Sequence, residues 1–364
     1  MKVSYNWLKE YFDEEIPEPK KIAELLTMHA FEVESLDPIS NDTVIEIKVL
    51  PDRSHDCLSH IGIAREIALL CNVKLKPNIF TKNIFPESNL LRVEVEDSKA
   101  CPRLSALMIE DVDVKESPMW LVERLHAIGQ RSINNIVDAT NYVMFSLGQP
   151  LHAYDRERLK EVDGGWKLGV RMAQKGEKVF ALDDKEYVLE DGELVIVDGH
   201  TNAPLGIAGI KGGKASQISK NTKNIILEAA NFDPVLVRQT AKRLGSRTDA
   251  SIRFENEITP ELTTQAFHAV TALIIDIAKG ENTRVEGLCD VYSRRANLYT
   301  VGVSLSEIQN VLGIDISQKE VEEILNRRGY PWKYVNPREE VVSLAEKYIG
   351  VPYKFGSSVL CDSP

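Results

Sequence analysis

Residues 134–155 read NNIVDATNYVMFSLGQPLHAYD. The apolar runs Ile136-Val137 and Val143-Met144-Phe145 are interleaved with Asn134, Asn135, Thr140, Asn141, Gln149 and His152. A segment this apolar is buried or half-buried, so each of its amide, hydroxyl and imidazole groups needs a hydrogen-bond partner. A ligand is the economical partner for several of them at once. A structural histidine satisfied by a backbone carbonyl is the plain alternative for His152.

On either side of this stretch, strand-like runs recur: LLRVEVED, RLSALMIEDV, GELVIVDG and KNIILEAANF. Three helices share one punctuation, an N-cap followed by proline, at Ser117-Pro118, Asp233-Pro234 and Thr259-Pro260. Gly129, Gly245 and Gly280 are the expected stops. Strands and helices mix without a repeated βαβ rhythm, which predicts an α+β domain over residues 87–296.

Two features of that domain invite chemistry. The run GIAGIKGGK (206–214) has the glycine content of a phosphate loop, but Ala208 stands where such a loop needs glycine and Ala215 where it needs Ser or Thr. It reads instead as a tight turn whose backbone approaches something closely, such as an amino-acid ring. Glu228, in LEAANF, is a carboxylate inside an apolar strand, and burying it unpaired costs several kcal/mol. It faces solvent, pairs with an arginine, or is functional.

The flanks resemble one another. Val3-Ser4, Leu8, Phe12 and Ile16 recur as Val303-Ser304, Ile308, Leu312 and Ile316. With one gap, Leu25, Leu26 and Phe31 match Ile324, Leu325 and Tyr330. Residues 1–86 form a small α+β unit, with helices at Trp7–Phe12 and Lys20–His29, a strand over Thr43–Leu50 and, in SHDCLSHIGIAREIALL (54–70), a helix with Ile63, Ile67 and Leu70 on one face. Residues 297–335 form its truncated echo. His55, Cys57 and His60 would make three metal ligands, but a structural zinc site wants four and no fourth is near, so no metal is expected. Beyond Asn336, residues 338–358 (REEVVSLAEKYIGVPYKFGSS) resemble the opening of an NlpC-type cysteine peptidase, expected to begin with a helix. Cys361-Asp362-Ser363 has the wrong order for its nucleophile, so no peptidase activity is expected of residues 336–364.

With 43% hydrophobic and 27% charged residues, the chain of 364 is that of a soluble, multidomain globular protein. No apolar run approaches the ~20 residues a bilayer span needs, and no secretory leader is evident. Five scattered cysteines without a CxxC pair fit a reducing compartment. The expectation is a cytoplasmic protein with no membrane partner. A net charge of −11 argues against wrapping along a nucleic acid, but leaves room for a pocket that grips an RNA end.

TNYV (140–143) with GQPLHAYD (148–155), PDRSHDCLSHIGIARE (51–66), LEAANF (227–232) and RTDASIRFENEITP (247–260) resemble, in order, motifs of bacterial phenylalanyl-tRNA synthetase beta subunits. Two of those motifs run NRxDCLSxxGIARE and RTxASxRFExGxxP. The likeness covers roughly residues 1–335. It implies an editing domain that hydrolyses tyrosine misattached to phenylalanine tRNA, flanked by two small, related, helix-rich domains. On that likeness, Thr140 and Asn141 hold the terminal adenosine and the ester, and His152 lies beside the scissile bond. Glu228 reads the tyrosine hydroxyl, while Gly212, Thr248 and Ala250 shape the ring pocket. The resemblance also implies a heterotetramer with alpha subunits that grips the tRNA 3′ end. ATP and magnesium would serve the assembled synthetase, with no cofactor in this chain. The rival expectation is a non-catalytic scaffold or RNA-binding partner with an idle pocket, to be preferred if Glu228, His152 and Asn141 do not converge.

Overall fold

The computed structural model describes residues 1–76, 85–295, 300–328, 332–336 and 341–345. The N-terminal unit runs β1 (Lys2–Ser4), α1 (Tyr5–Lys9), α2 (Pro19–His29), β2 (Glu32–Ile39), β3 (Asp42–Lys48), α3 (Ser54–Cys57) and α4 (His60–Cys71). Its antiparallel sheet has the order β1-β3-β2. Ser4 starts α1 by accepting from the Trp7 amide at 3.0 Å, the expected cap. Ile22, Leu26, Ile45, Ile47, Ile63 and Ile67 close the core between sheet and helices.

The central unit begins with β4 (Leu91–Val95), β5 (Arg103–Val112), α5 (Met119–Ala127), α6 (Asn135–Leu147) and β6 (Leu151–Asp155). It continues through β7 (Trp166–Met172), the hairpin β8 (Lys178–Phe180) and β9 (Glu186–Val188), β10 (Leu194–Asp198), β11 (Pro204–Ile207) and β12 (Lys211–Gly212). It closes with β13 (Ile225–Asn231), α7 (Pro234–Arg243), α8 (Asp249–Phe254), α9 (Leu262–Ile277) and β14 (Lys279–Tyr292). These strands build a four-stranded sheet, β14-β5-β13-β6, and a five-stranded one, β12-β11-β10-β7-β4, in which only β4 and β7 pair in parallel. The architecture is α+β.

Strand alternation decides which way the chemistry faces. Side chains along a strand point to opposite faces in turn. On β13, Ile225, Leu227 and Ala229 join the core under α5, α6 and α9, whereas Ile226 and Ala230 join the core between the two sheets. Glu228 belongs by parity to the second set. On β6 the same rule sends Ala153 toward the helices and Tyr154, with His152, between the sheets.

The third unit runs β15 (Thr300–Ser304), α10 (Leu305–Leu312), α11 (Gln318–Arg328), β16 (Trp332–Asn336) and β17 (Val341–Ala345). Its sheet order, β15-β17-β16, repeats that of the N-terminal unit, and Ser304 caps α10 as Ser4 caps α1. The internal echo is therefore topological as well as sequential. Val341–Ala345, expected in the opening helix of the tail, is instead a strand that pairs with both β15 and β16. The remaining peptidase-like residues, from 346 on, lie outside the described residues.

The helix punctuation held in part. Asp233 caps α7 and Pro234 opens it; Gly129 and Gly245 take positive φ just past α5 and α7. Ser117 does not cap α5, because its hydroxyl donates to the buried Asp138 carboxylate at 2.5 Å, and the cap moves to Pro118. Helix α9 starts two residues later than Thr259-Pro260 suggested, with Glu261 in the cap position. Gly280 is no stop: it lies in β14, where a Cβ would meet the Asp111 carbonyl oxygen at 2.4 Å.

Candidate functional site

The quoted stretch folds as helix, turn and strand. Asn134 caps α6, its side chain accepting from the amides of Ile136 and Val137. Gly148, at φ 92°, ends the helix in the left-handed conformation. The buried Gln149 amide then donates to Pro150 and Ala230 carbonyls, fastening the turn to β13. That turn delivers β6 alongside β13 with His152 directly opposite Glu228.

Between the sheets lies a cavity of about 180 Å³. Asn141 comes from α6, His152 and Tyr154 from β6, Glu228 from β13, Lys211 and Gly212 from β12, and Ala250 and Phe254 from α8. Ile196, Ile207 and Phe232 supply apolar wall. A dry cavity of ~150 Å³ accepts a benzene ring, so this one holds a single aromatic side chain.

Glu228 is buried, and one of its oxygens accepts from the Tyr154 hydroxyl at 2.5 Å. The other accepts no bond among the described residues. Burial raises the carboxyl pKa to about 7, against the lowering effect of the Tyr154 bond. Burial also pushes the Tyr154 phenol well above its usual value. His152 packs edge-on to Tyr154, centroids 4.6 Å apart, and burial drops its pKa to about 4, so the ring is neutral at physiological pH. Neither the His152 imidazole nor the Asn141 side-chain amide has a hydrogen-bonding partner among the described residues. A neutral imidazole, an amide and one carboxylate oxygen thus face the cavity uncommitted.

The glycine run is a hairpin turn between β11 and β12, with Gly209 at φ 69°. The ring it approaches is His152: a Cβ on Gly212 would lie 2.2 Å from Cε1 and 2.7 Å from Nε2. Of the residues singled out from sequence, Asn141, His152, Gly212, Glu228 and Ala250 meet in this cavity. Thr140 and Thr248 are not in its wall. Thr140 donates its hydroxyl to Val137 O at 2.7 Å, within its own helix. Thr248 caps α8, accepting from Ser251 N while donating to Ile210 O. Tyr154 was not singled out; its position two residues after His152, on the same strand face, was the available signal.

The three candidate metal ligands do not assemble. His60 is buried against Trp7, centroids 3.9 Å apart, and its ring nitrogens bond Ser4 N and Phe145 O. Asp56, Cys57 and Glu66 do cluster, but the Arg53 guanidinium bonds all three, filling the position a cation would take.

Residues 100–279 match the model of the B3/4 domain family. The chain is 41% identical, over 299 residues, to the phenylalanine–tRNA ligase beta subunit of Geobacter metallireducens, covering 81% of this chain and 36% of that one. It is 37% identical over 331 residues to the beta subunit of Rhodopirellula baltica, covering 90% and 47%. It thus spans less than half the length of these relatives. A crystallised N-terminal fragment of the phenylalanyl-tRNA synthetase beta subunit from Pyrococcus horikoshii aligns over 95% of this chain and 92% of its own, at 12% identity and a TM-score of 0.49.

Proposed function

The chain belongs to the phenylalanine–tRNA ligase beta-subunit family, and on that footing we propose that its central domain hydrolyses tyrosine esterified to the 3′ end of phenylalanine tRNA. The observation that carries this reading is the convergence of Asn141, His152 and Glu228 on one ring-sized cavity.

Phenylalanine and tyrosine differ by a hydroxyl, and an apolar synthetic pocket rejects the added hydroxyl by only ~100-fold. A second site that rewards the hydroxyl corrects the residue of errors. The free oxygen of Glu228 accepts from the tyrosine hydroxyl, while a phenylalanine ring leaves that one oxygen desolvated and unpaired. Gly212 leaves His152 room beside the ester, and Asn141 offers an amide donor to its carbonyl oxygen. Water adds to the carbonyl carbon, the bond to the ribose oxygen breaks, and tyrosine and the free 3′ hydroxyl leave. At a pKa of about 4, the imidazole orients the water by accepting its hydrogen bond rather than holding its proton. Among the described residues no serine, threonine or cysteine lines the cavity, so on this reading the ester meets water directly.

The partners of this reading are the alpha subunit, which carries synthesis with ATP and magnesium in the assembled heterotetramer, and the tRNA 3′ end. We assign ATP and magnesium no residue here. Cytoplasmic location follows from the same reading; among the described residues, no helix is long and apolar enough to cross a membrane. Comparing single-turnover deacylation of tyrosyl- and phenylalanyl-tRNA tests it.

A further inference from the structure

Glu228 reaches the cavity on a side chain that turns about several bonds. Among the described residues its carboxylate has one hydrogen-bonding partner, the Tyr154 hydroxyl at 2.5 Å. That partner is itself held firmly. Tyr154 is 2% exposed, its ring belongs to the core between the sheets, and β6 is tied to β13 by the register that sets His152 opposite Glu228. Burial holds the phenol well above its usual pKa, so the hydroxyl keeps its proton and remains a donor. Both residues line the cavity, which puts the bond between them in its wall.

The other groups around Glu228 are committed elsewhere or have nothing to donate to it. His152, opposite on β6, is held neutral by burial. Lys211, from β12, lines the cavity but pairs with Asp183. The Cys101 thiol, before β5, donates to Arg103 O, and its pKa is pushed up by burial and then by the Glu228 charge. On β5 itself the facing residue is Ala106. We propose that Tyr154 is a positioning residue that sets specificity: by holding one oxygen of the Glu228 carboxylate, it aims the other at the hydroxyl of the bound tyrosine ring. The inference rests on the editing reading of the cavity and adds the group that makes its carboxylate selective. A carboxylate free to turn swings away from a phenylalanine ring, or takes up a proton, and so escapes being left charged and unpaired. The Tyr154 bond opposes both escapes, because it fixes the direction of the carboxylate and favours its charged form. Tyrosine then meets an acceptor already in place, and phenylalanine meets the full cost of an unpaired oxygen.

Single-turnover deacylation of tyrosyl- and phenylalanyl-tRNA by the full chain, alone and with the alpha subunit, tests this from about pH 6 to pH 8.5. The wild-type preference for tyrosine should rise with pH through about 7, as Glu228 ionises and an unpaired oxygen becomes costlier. Tyr154→Phe removes the hydroxyl and keeps the ring in the core. Its preference should be lower by roughly five- to tenfold, and the rise should move to higher pH, since burial then acts on Glu228 unopposed. In a Glu228→Ala background, Tyr154→Phe should change neither, because the hydroxyl has no carboxylate left to hold. A wild-type preference and pH profile in folded Tyr154→Phe, or the same loss in both backgrounds, would overturn the positioning role and leave the editing reading standing. A wild type without preference would overturn both.

Discussion

His152 and Glu228 are direct cross-strand partners on β6 and β13, with both side chains in the layer between the two sheets. Tyr154, diagonal to Glu228 on the same face, reaches across to its carboxylate, as long side chains at that offset do. The sheet register therefore sets the distances within the site, and α6 and the Gly212 turn close around a pair the strands have already placed. Consequences for stability and activity follow from this arrangement and from the groups that support it.

Glu228 makes stability depend on pH in an unusual direction. Its folded pKa of about 7 stands above the ordinary 4.5, so between those values the native state holds a proton that the unfolded chain has released. Stability should fall as pH rises through that window. Glu228→Gln removes the loss: at pH 8 it should be more stable than the wild type by up to ~3 kcal/mol, and similar near pH 4.5. Urea unfolding at both pH values checks this; parallel pH slopes for the two proteins would refute it.

His60 acts with the opposite sign. Burial holds its pKa at about 3, below the ordinary 6.5, while its two nitrogens bond Ser4 N and Phe145 O in the neutral form. The unfolded histidine takes up a proton below pH ~6.5 that the native one refuses. The stabilisation is complete above that pH and lost as pH falls toward 3. His60→Gln should be less stable than the wild type at pH 7 by about 2 kcal/mol, through lost packing and bonds, yet show a shallower acid slope. Thermal melts from pH 4 to 7 report both.

Gly212→Ala should strike the site selectively. The added methyl cannot coexist with the His152 ring where it stands, so the ring must rotate away or the β11–β12 hairpin must shift. We expect a stability loss of ~1–3 kcal/mol and at least a tenfold drop in deacylation under the proposed reaction. A folded variant with the wild-type rate would show that His152 need not sit where it does.

Glu257 lies at φ 61°, a left-handed conformation that costs a residue with a side chain roughly 1–2 kcal/mol. In the motif RTxASxRFExGxxP, set on Arg247 through Pro260, this position is the glycine. Glu257→Gly should raise stability by about 0.5–1 kcal/mol after the entropy of the freer unfolded chain is subtracted, without changing the deacylation rate. Chemical denaturation measures the first and the tRNA assay the second.

Much of this was legible because local signals agreed with tertiary demands. Asp233-Pro234 starts α7 as its local cap and proline signal implied, and the serine caps at Ser4 and Ser304 exposed the internal duplication before the sheets did. Ser117 misled because a long-range partner, Asp138, outbid the local amides for its hydroxyl. Gly280 read as a stop where its missing Cβ instead allows β14 to pass the Asp111 backbone. Within the site, polar residues in apolar surroundings located Asn141, His152 and Glu228. Thr140 carried the same signal but spends its hydroxyl within α6, and Thr248, singled out only through the family resemblance, spends its own on capping α8. Tyr154 stayed hidden because an aromatic in a strand looks like core, and its hydroxyl matters only once β6 and β13 are in register.

The most direct measurement is single-turnover deacylation of tyrosyl- and phenylalanyl-tRNA by this chain and by Glu228→Ala, at pH 8, where the Glu228 carboxyl is ionised and can only accept. The account predicts faster release of tyrosine than of phenylalanine by the wild type, with the preference collapsing in the variant. Should the folded chain, alone and with the alpha subunit added, release both amino acids no faster than buffer, or keep its preference without Glu228, the cavity is an idle pocket and the central claim is wrong.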